Sequence, residues 1–178
     1  MKRILVLYGT LHGQAAKVAA RIGERCRAVG HQADVIRDRD LPGSANPDDY
    51  DVILVVASFN NGRYPKALTK WIAAHAKPLS AMPSAFFAIS GAACDPTTGE
   101  RDAASQSGPF LTKVGWTPRR IEHVAGAFPF TKYSWFEKWV MKTILKRGGH
   151  PHDTKVDYEY TDWPKLDRAV TGFLDTLT

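Results

Sequence analysis

Val52-Ile53-Leu54-Val55-Val56-Ala57 is the feature that most restricts what this chain can become. A short, wholly apolar run rich in β-branched residues reads as a strand with no polar face. Such a strand needs cover on both sides, the situation of a central strand in a helix-flanked parallel sheet. Ile4–Tyr8 reads the same way and ends at Gly9. Gln32–Arg37, Ala85–Ile89 and Ile121–Gly126 complete five strand signals.

Helical spacing separates them. Over Gln14–Val29, Ala16, Ala19, Ala20 and Ile22 line one side while Lys17, Arg21 and Glu24 line the other, and Gly30 stands at the C-cap position. Pro65 opens a second helix carrying Ala67, Leu68, Trp71, Ile72 and His75. Gly91–Ser107 reads as a polar loop, followed by a helix around Pro109–Val114, and Leu166–Leu177 reads as a closing helix. This alternation predicts one α/β domain over all 178 residues, a three-layer sandwich with a parallel sheet. Five strands with right-handed crossovers fit the flavodoxin-like order 2-1-3-4-5. Phe128–Lys155 breaks the alternation and reads as an insertion in the last strand, which Val156–Tyr160 resumes.

The sequence holds no apolar run long enough to span a membrane. Met1-Lys2-Arg3 leads into a run too short for a signal peptide, so the expected location is the cytoplasm. Cys26 and Cys94 lack neighbours at ligand spacing, so no metal site is expected. The net charge of +6 points to an anionic partner: a phosphorylated cofactor, nucleic acid or acidic lipid headgroups.

Ligands of such sheets bind beyond the carboxyl ends of the strands. Three loops meet there. Thr10, Leu11, His12, Gly13 and Gln14 join the first strand to the first helix, where backbone N–H groups and the helix dipole favour a phosphate. The Thr10 hydroxyl and Gln14 amide add donors, and neither a Walker A nor a dinucleotide fingerprint is present. An ordinary strand-to-helix turn is the alternative. Ser58, Phe59, Asn60, Asn61, Gly62 and Tyr64 offer aromatic faces and amides suited to an isoalloxazine ring; each aromatic reads equally as a surface or core residue. Ser90, Gly91, Ala92 and Ala93 supply small residues for a second wall.

Beyond these loops, the chain resembles the menaquinone-dependent protoporphyrinogen IX dehydrogenase family. The resemblance is carried by Thr10 with Gly13-Gln14, Tyr50-Asp51 through Ala57-Ser58, Gly62 with Tyr64, and His75-Ala76. Met82 to Phe86, Ala125-Gly126-Ala127 and Tyr160 to Trp163 continue it, as does the aromatic and basic insertion. It implies FMN, held by the three loops, oxidation of protoporphyrinogen IX in heme synthesis, and a membrane quinone as acceptor. Gly9 and Ala15 stand where the family tends to carry hydroxyls.

Within the insertion, Ser134–Lys146 has helical spacing, with Lys138, Lys142 and Lys146 beside a stripe holding Trp135, Phe136 and Trp139. Residues 128–149 therefore suit either peripheral contact with the cytoplasmic face of the inner membrane or packing on the domain or on a second subunit. Nucleic acid is not expected, since no such module is recognisable. Arg63, Lys132 and Arg147 are candidates for substrate propionates by charge, and Trp135 and Trp139 for membrane contact. No catalytic acid or base stands out. The rival functions are a flavodoxin-type electron carrier, an NAD(P)H:quinone oxidoreductase and a flavin-free binding domain.

Overall fold

Every residue of β3 (Val52–Ser58) is buried, as its unbroken apolar run requires. The structure, a computed structural model, describes residues 1–41, 46–128, 130–132, 138, 153 and 155–177. Around β3 the chain runs β1 (Arg3–Gly9), α1 (Gln14–Ala28) and β2 (Gln32–Arg37) before it, then α2 (Lys66–Ala74), α3 (Ala76–Ala81), β4 (Ser84–Ser90), α4 (Gly99–Val114) and β5 (Arg120–Ala125) after it. The tail holds β6 (Ala127–Phe128), β7 (Tyr158–Glu159) and α5 (Trp163–Asp175).

The sheet order is β2-β1-β3-β4-β5 and every neighbouring pair is parallel. Strand alternation divides the core in two. Ile4, Val6, Leu54 and Val56 pack with Val18, Ile22, Val170 and Phe173 beneath α1 and α5. Leu5, Leu7, Ile53 and Val55 pack with Leu68, Ile72 and Leu111 beneath α2 and α4. Truncating a fully buried leucine such as Leu54 to alanine costs about 2–5 kcal/mol by lost transfer energy and the cavity left behind.

Two elements depart from the sequence expectation. α4 starts at Gly99, well before Pro109, which lies inside it. Its first turns look like a loop because only the small residues Gly99, Ala103 and Ser107 are buried there. The start is organised by Asp95, which accepts the amides of Thr97 and Thr98 at 2.7 and 2.8 Å. Ser107 Oγ then meets His123 Nε2 at 2.9 Å, and His123 Nδ1 meets Glu100, fastening α4 to β5. The second departure concerns the return from the insertion. Instead of resuming β5, Tyr158–Glu159 pairs antiparallel with Ala127–Phe128, the continuation of β5 past Gly126.

The root of the insertion also has its own packing. Phe128 and Phe130 are buried in a small cluster with Tyr158 and Tyr160. These two aromatics, read as part of a surface-active stretch, are held by the domain itself. Trp135, Trp139 and Arg147 lie outside the described residues, as does the rest of the expected helix except Lys138.

Candidate functional site

The carboxyl ends of β1, β3 and β4 open into a cleft of about 310 Å³. His12, Gly13 and Gln14 line one side, Ser58, Phe59 and Asn60 another, and Ser90 and Gly91 a third. All three expected loops therefore meet, and the volume falls within the range of small-molecule clefts.

The wall nearest α1 is shaped for an anion. Gly13 caps the helix at φ 102°, a conformation that L side chains rarely adopt. No side chain caps α1 and its first turn carries no acid. The amides of Gln14 and Ala15 thus begin a helix without intrahelical partners, next to the positive end of its dipole. Thr10 Oγ1 accepts the Gly13 amide at 2.8 Å, which sets the loop and leaves its own O–H able to donate. Gln14 differs from expectation: its Nε2 donates to Thr161 Oγ1 at 2.7 Å, and Thr161 donates onward to the Ala125 carbonyl at 2.8 Å. That side chain ties α1 to the return segment with one of its two donor hydrogens.

At residue 9 a side chain is crowded, and residue 15 is shut away from solvent. A Cβ at Gly9 would lie 2.8 Å from Pro65 Cγ, and Ala15 is wholly buried.

The second loop separates its two aromatics. Phe59 lines the cleft. Tyr64 is only 4% exposed, with its ring 5.1 Å from Phe59, 5.4 Å from Phe86 and 4.4 Å from Phe110. Burial pushes its phenol up, and its role is packing. Asn60 and Arg63 close a tight turn by exchanging backbone hydrogen bonds at 3.0 and 3.1 Å, which carries Asn61 and Gly62 outward. Thr10, Leu11, Asn61, Arg63 and Tyr64 line a neighbouring cavity instead.

In the third loop, a Cβ at Gly91 would meet the Phe128 ring at 3.1 Å, so the small residue accommodates the protein's own aromatic. Ala92 and Ala93 form a 3-10 turn behind it; neither lines the cleft. Lys132 belongs to a short 3-10 turn, and Arg63, in the β3–α2 loop, does not line the cleft.

Sequence reasoning missed the cleft's remaining wall: Lys17, Ile89, Gly126, Ala127 and Asp157 to Glu159. The polar–aromatic alternation of 157–160 was the available signal. Asp157 is fixed by the Thr131 amide and hydroxyl, both at 2.9 Å, and Glu159 pairs with Lys17 at 3.0 Å. Cys26 and Cys94 are free, and burial pushes both thiols up to about 11, so neither is a ready nucleophile at neutral pH.

Comparison with known proteins agrees with this geometry. A flavodoxin domain model matches residues 5–155. Protoporphyrinogen IX dehydrogenase [quinone] of Escherichia coli K12 is 30% identical over 164 residues, covering 92% of this chain and 90% of that protein. The Leishmania major protein of the same name is 28% identical over 174 residues, covering 96% and 74%. In three dimensions, oxidised flavodoxin 1 from Bacillus cereus superposes with a TM-score of 0.58 at 16% identity, over 99% of each chain. An archaeal flavodoxin does so at 0.55 and 15%, over 98% of each.

Proposed function

The chain belongs to the flavodoxin domain family, and on that premise we propose that it is an FMN-dependent oxidoreductase. Its electrons come from protoporphyrinogen IX and go to a membrane quinone, as the name of its Escherichia coli relative indicates for that protein. The observation that carries the reading is the cleft: three strand-end loops converge on an uncapped helix start.

The residues present fit the cofactor. The phosphate goes to the Thr10 hydroxyl and the backbone of His12 and Gln14, with Gly13 setting the turn, where the α1 dipole favours negative charge. The ring goes between Phe59–Asn60 and Ser90–Gly91, with Asn61 and Gly62 at the outer rim. FMN supplies a hydride- or electron-accepting ring nitrogen, and the protein supplies position and electrostatics. Phe59 offers a flat apolar face, Ile89 and Gly126 give an apolar floor, and Tyr158 with Ala127 limits water from the return side.

Arg63 is a proposed contact for a substrate carboxylate, and Lys132 and Arg147 are proposed contacts at the membrane surface. Trp135 and Trp139, interleaved with lysines, are proposed to seat residues 128–149 on the cytoplasmic face of the membrane that holds the quinone. Among the described residues no helix is long and apolar enough to cross a membrane, which suits a peripheral role.

The test is turnover of protoporphyrinogen IX by FMN-loaded protein with menaquinone as acceptor. Quinone-dependent turnover is expected. No turnover, or faster oxidation of NADPH, rejects the reading. Deleting residues 133–152, which spares Phe128 and Phe130, is expected to abolish quinone reduction while FMN stays bound.

A further inference from the structure

Beside the cofactor cleft lies a second, larger cavity of about 680 Å³, bordered on the phosphate-loop side by Thr10 and Leu11. The turn after β2 contributes Asp38 and Arg39. The β3–α2 loop contributes Asn61, Arg63 and Tyr64. The exposed start of α2 contributes Lys66 and Lys70. Ser58 and Asn60 line both this cavity and the cofactor cleft, so the two share a wall.

Its electrostatics are one-sided. Four cations line it against a single acid, Asp38. That acid is already engaged: its Oδ2 accepts the Leu68 amide at 3.2 Å, answering the first turn of α2. Arg39, Arg63, Lys66 and Lys70 form no ion pair with any described residue. Elsewhere the described arginines often have acidic partners: Arg21 meets Asp167 at 2.7 Å and Arg3 meets Asp34 at 3.3 Å. Four like charges around one concavity repel each other unless an anion joins them. Lys66 and Lys70 stand one helical turn apart, so their amines project from the same face of α2. Arg63, held in the Asn60–Arg63 turn, lines the same cavity. Spread charges of this kind suit a ligand with two separated carboxylates better than one compact anion.

We propose that this cavity is the docking site for the paired carboxylates of the electron donor. Arg39, Lys66 and Lys70 bind the carboxylates, and Arg63 stands between them and the shared wall of Ser58 and Asn60. The inference rests on the proposed dehydrogenase reading for the identity of that donor. Protoporphyrinogen IX carries two propionates on one edge of its macrocycle. Anchoring that edge in the basic cavity places the opposite edge toward the cofactor cleft. Recognition then comes from charge outside the cleft, and the reacting centre needs no ionic contact of its own.

The experiment compares protoporphyrin IX with its dimethyl ester, which keeps the ring and lacks the charges. Binding to FMN-loaded protein is followed by fluorescence, in the wild type and in the triple variant Arg39→Gln, Lys66→Gln, Lys70→Gln. All three side chains are exposed and none lines the cofactor cleft, so an FMN titration reports separately on that cleft. The wild type is expected to prefer the diacid over the diester by tenfold or more, and added salt should erode that preference. In the triple variant the preference should fall to within about threefold while diester binding stays unchanged, the loss expected when exposed charge contacts are removed. A wild type with no preference, or a variant that retains it, overturns the proposal. So does NADPH displacing the diacid in the wild type at concentrations where inorganic phosphate at equal charge does not. A diacid preference that survives beside absent turnover would instead reject the dehydrogenase reading and leave the carboxylate site standing.

Discussion

α1 and α5 pack side by side on one face of the sheet, yet their amino ends are treated in opposite ways. α5 begins with Asp162, whose carboxylate accepts the Lys165 amide at 2.9 Å. Its own sequence supplies the anion that a helix start favours. α1 begins with Gly13, has no side-chain cap and no acid in its first turn, and opens on the cleft. The two helices are joined by the Arg21–Asp167 ion pair, so they share a scaffold. The difference teaches that the open start of α1 is a local feature: the same dipole meets a capping carboxylate in one helix and no capping side chain in the other.

The comparison breaks most completely at Gly13. A β-branched residue there meets φ 102°, so Gly13→Val should cost about 2 kcal/mol or more in folding stability. It should also weaken FMN binding on the order of a hundredfold by misaligning the amides that hold phosphate. Thermal melts and an FMN titration check both. A smaller effect of mixed sign is expected for Ala16→Glu, which gives α1 an acid in its first turn. The apo protein should gain about 0.3–1 kcal/mol while FMN affinity falls roughly tenfold. A gain in both would break the comparison.

Asp162→Ala sharpens it from the other side. Uncapping α5 should cost about 1 kcal/mol of stability, read in urea, with FMN affinity unchanged. The smallest effect concerns the shared ion pair. The hydrogen bond from Arg21, reinforced by its charge, holds the Asp167 carboxyl below the usual carboxylate range. Its stabilisation is therefore full above about pH 4 and is lost as pH falls through the lower folded value. Asp167→Asn should remove that part of the acid dependence, and the change is small because Arg21 is 42% exposed.

How much was legible in the sequence follows from how local each cause is. β3 and β1 were readable because burial on both faces writes itself as an apolar run. The three loops were readable for the same reason, since they simply follow those strands. Tyr64 was not separable from Phe59, because side-chain direction depends on Phe86 and Phe110, far along the chain. The link from Gln14 to Thr161, 147 residues away, could not be read locally either. The start of α4 was hidden by an exposed polar face and an Asp95 cap that lies upstream of the helix. β7 was placed in the right stretch but with the wrong partner, because pairing with β6 depends on the chain turning out at Gly126.

The measurement that bears most directly on the central claim is a paired titration of the purified protein with FMN and with riboflavin, which lacks the phosphate. The account predicts a yellow complex of one FMN per chain, with riboflavin bound about tenfold or more weakly because the open end of α1 recognises the phosphate. A protein that takes up no FMN at saturating concentration, or binds riboflavin equally well, would contradict it.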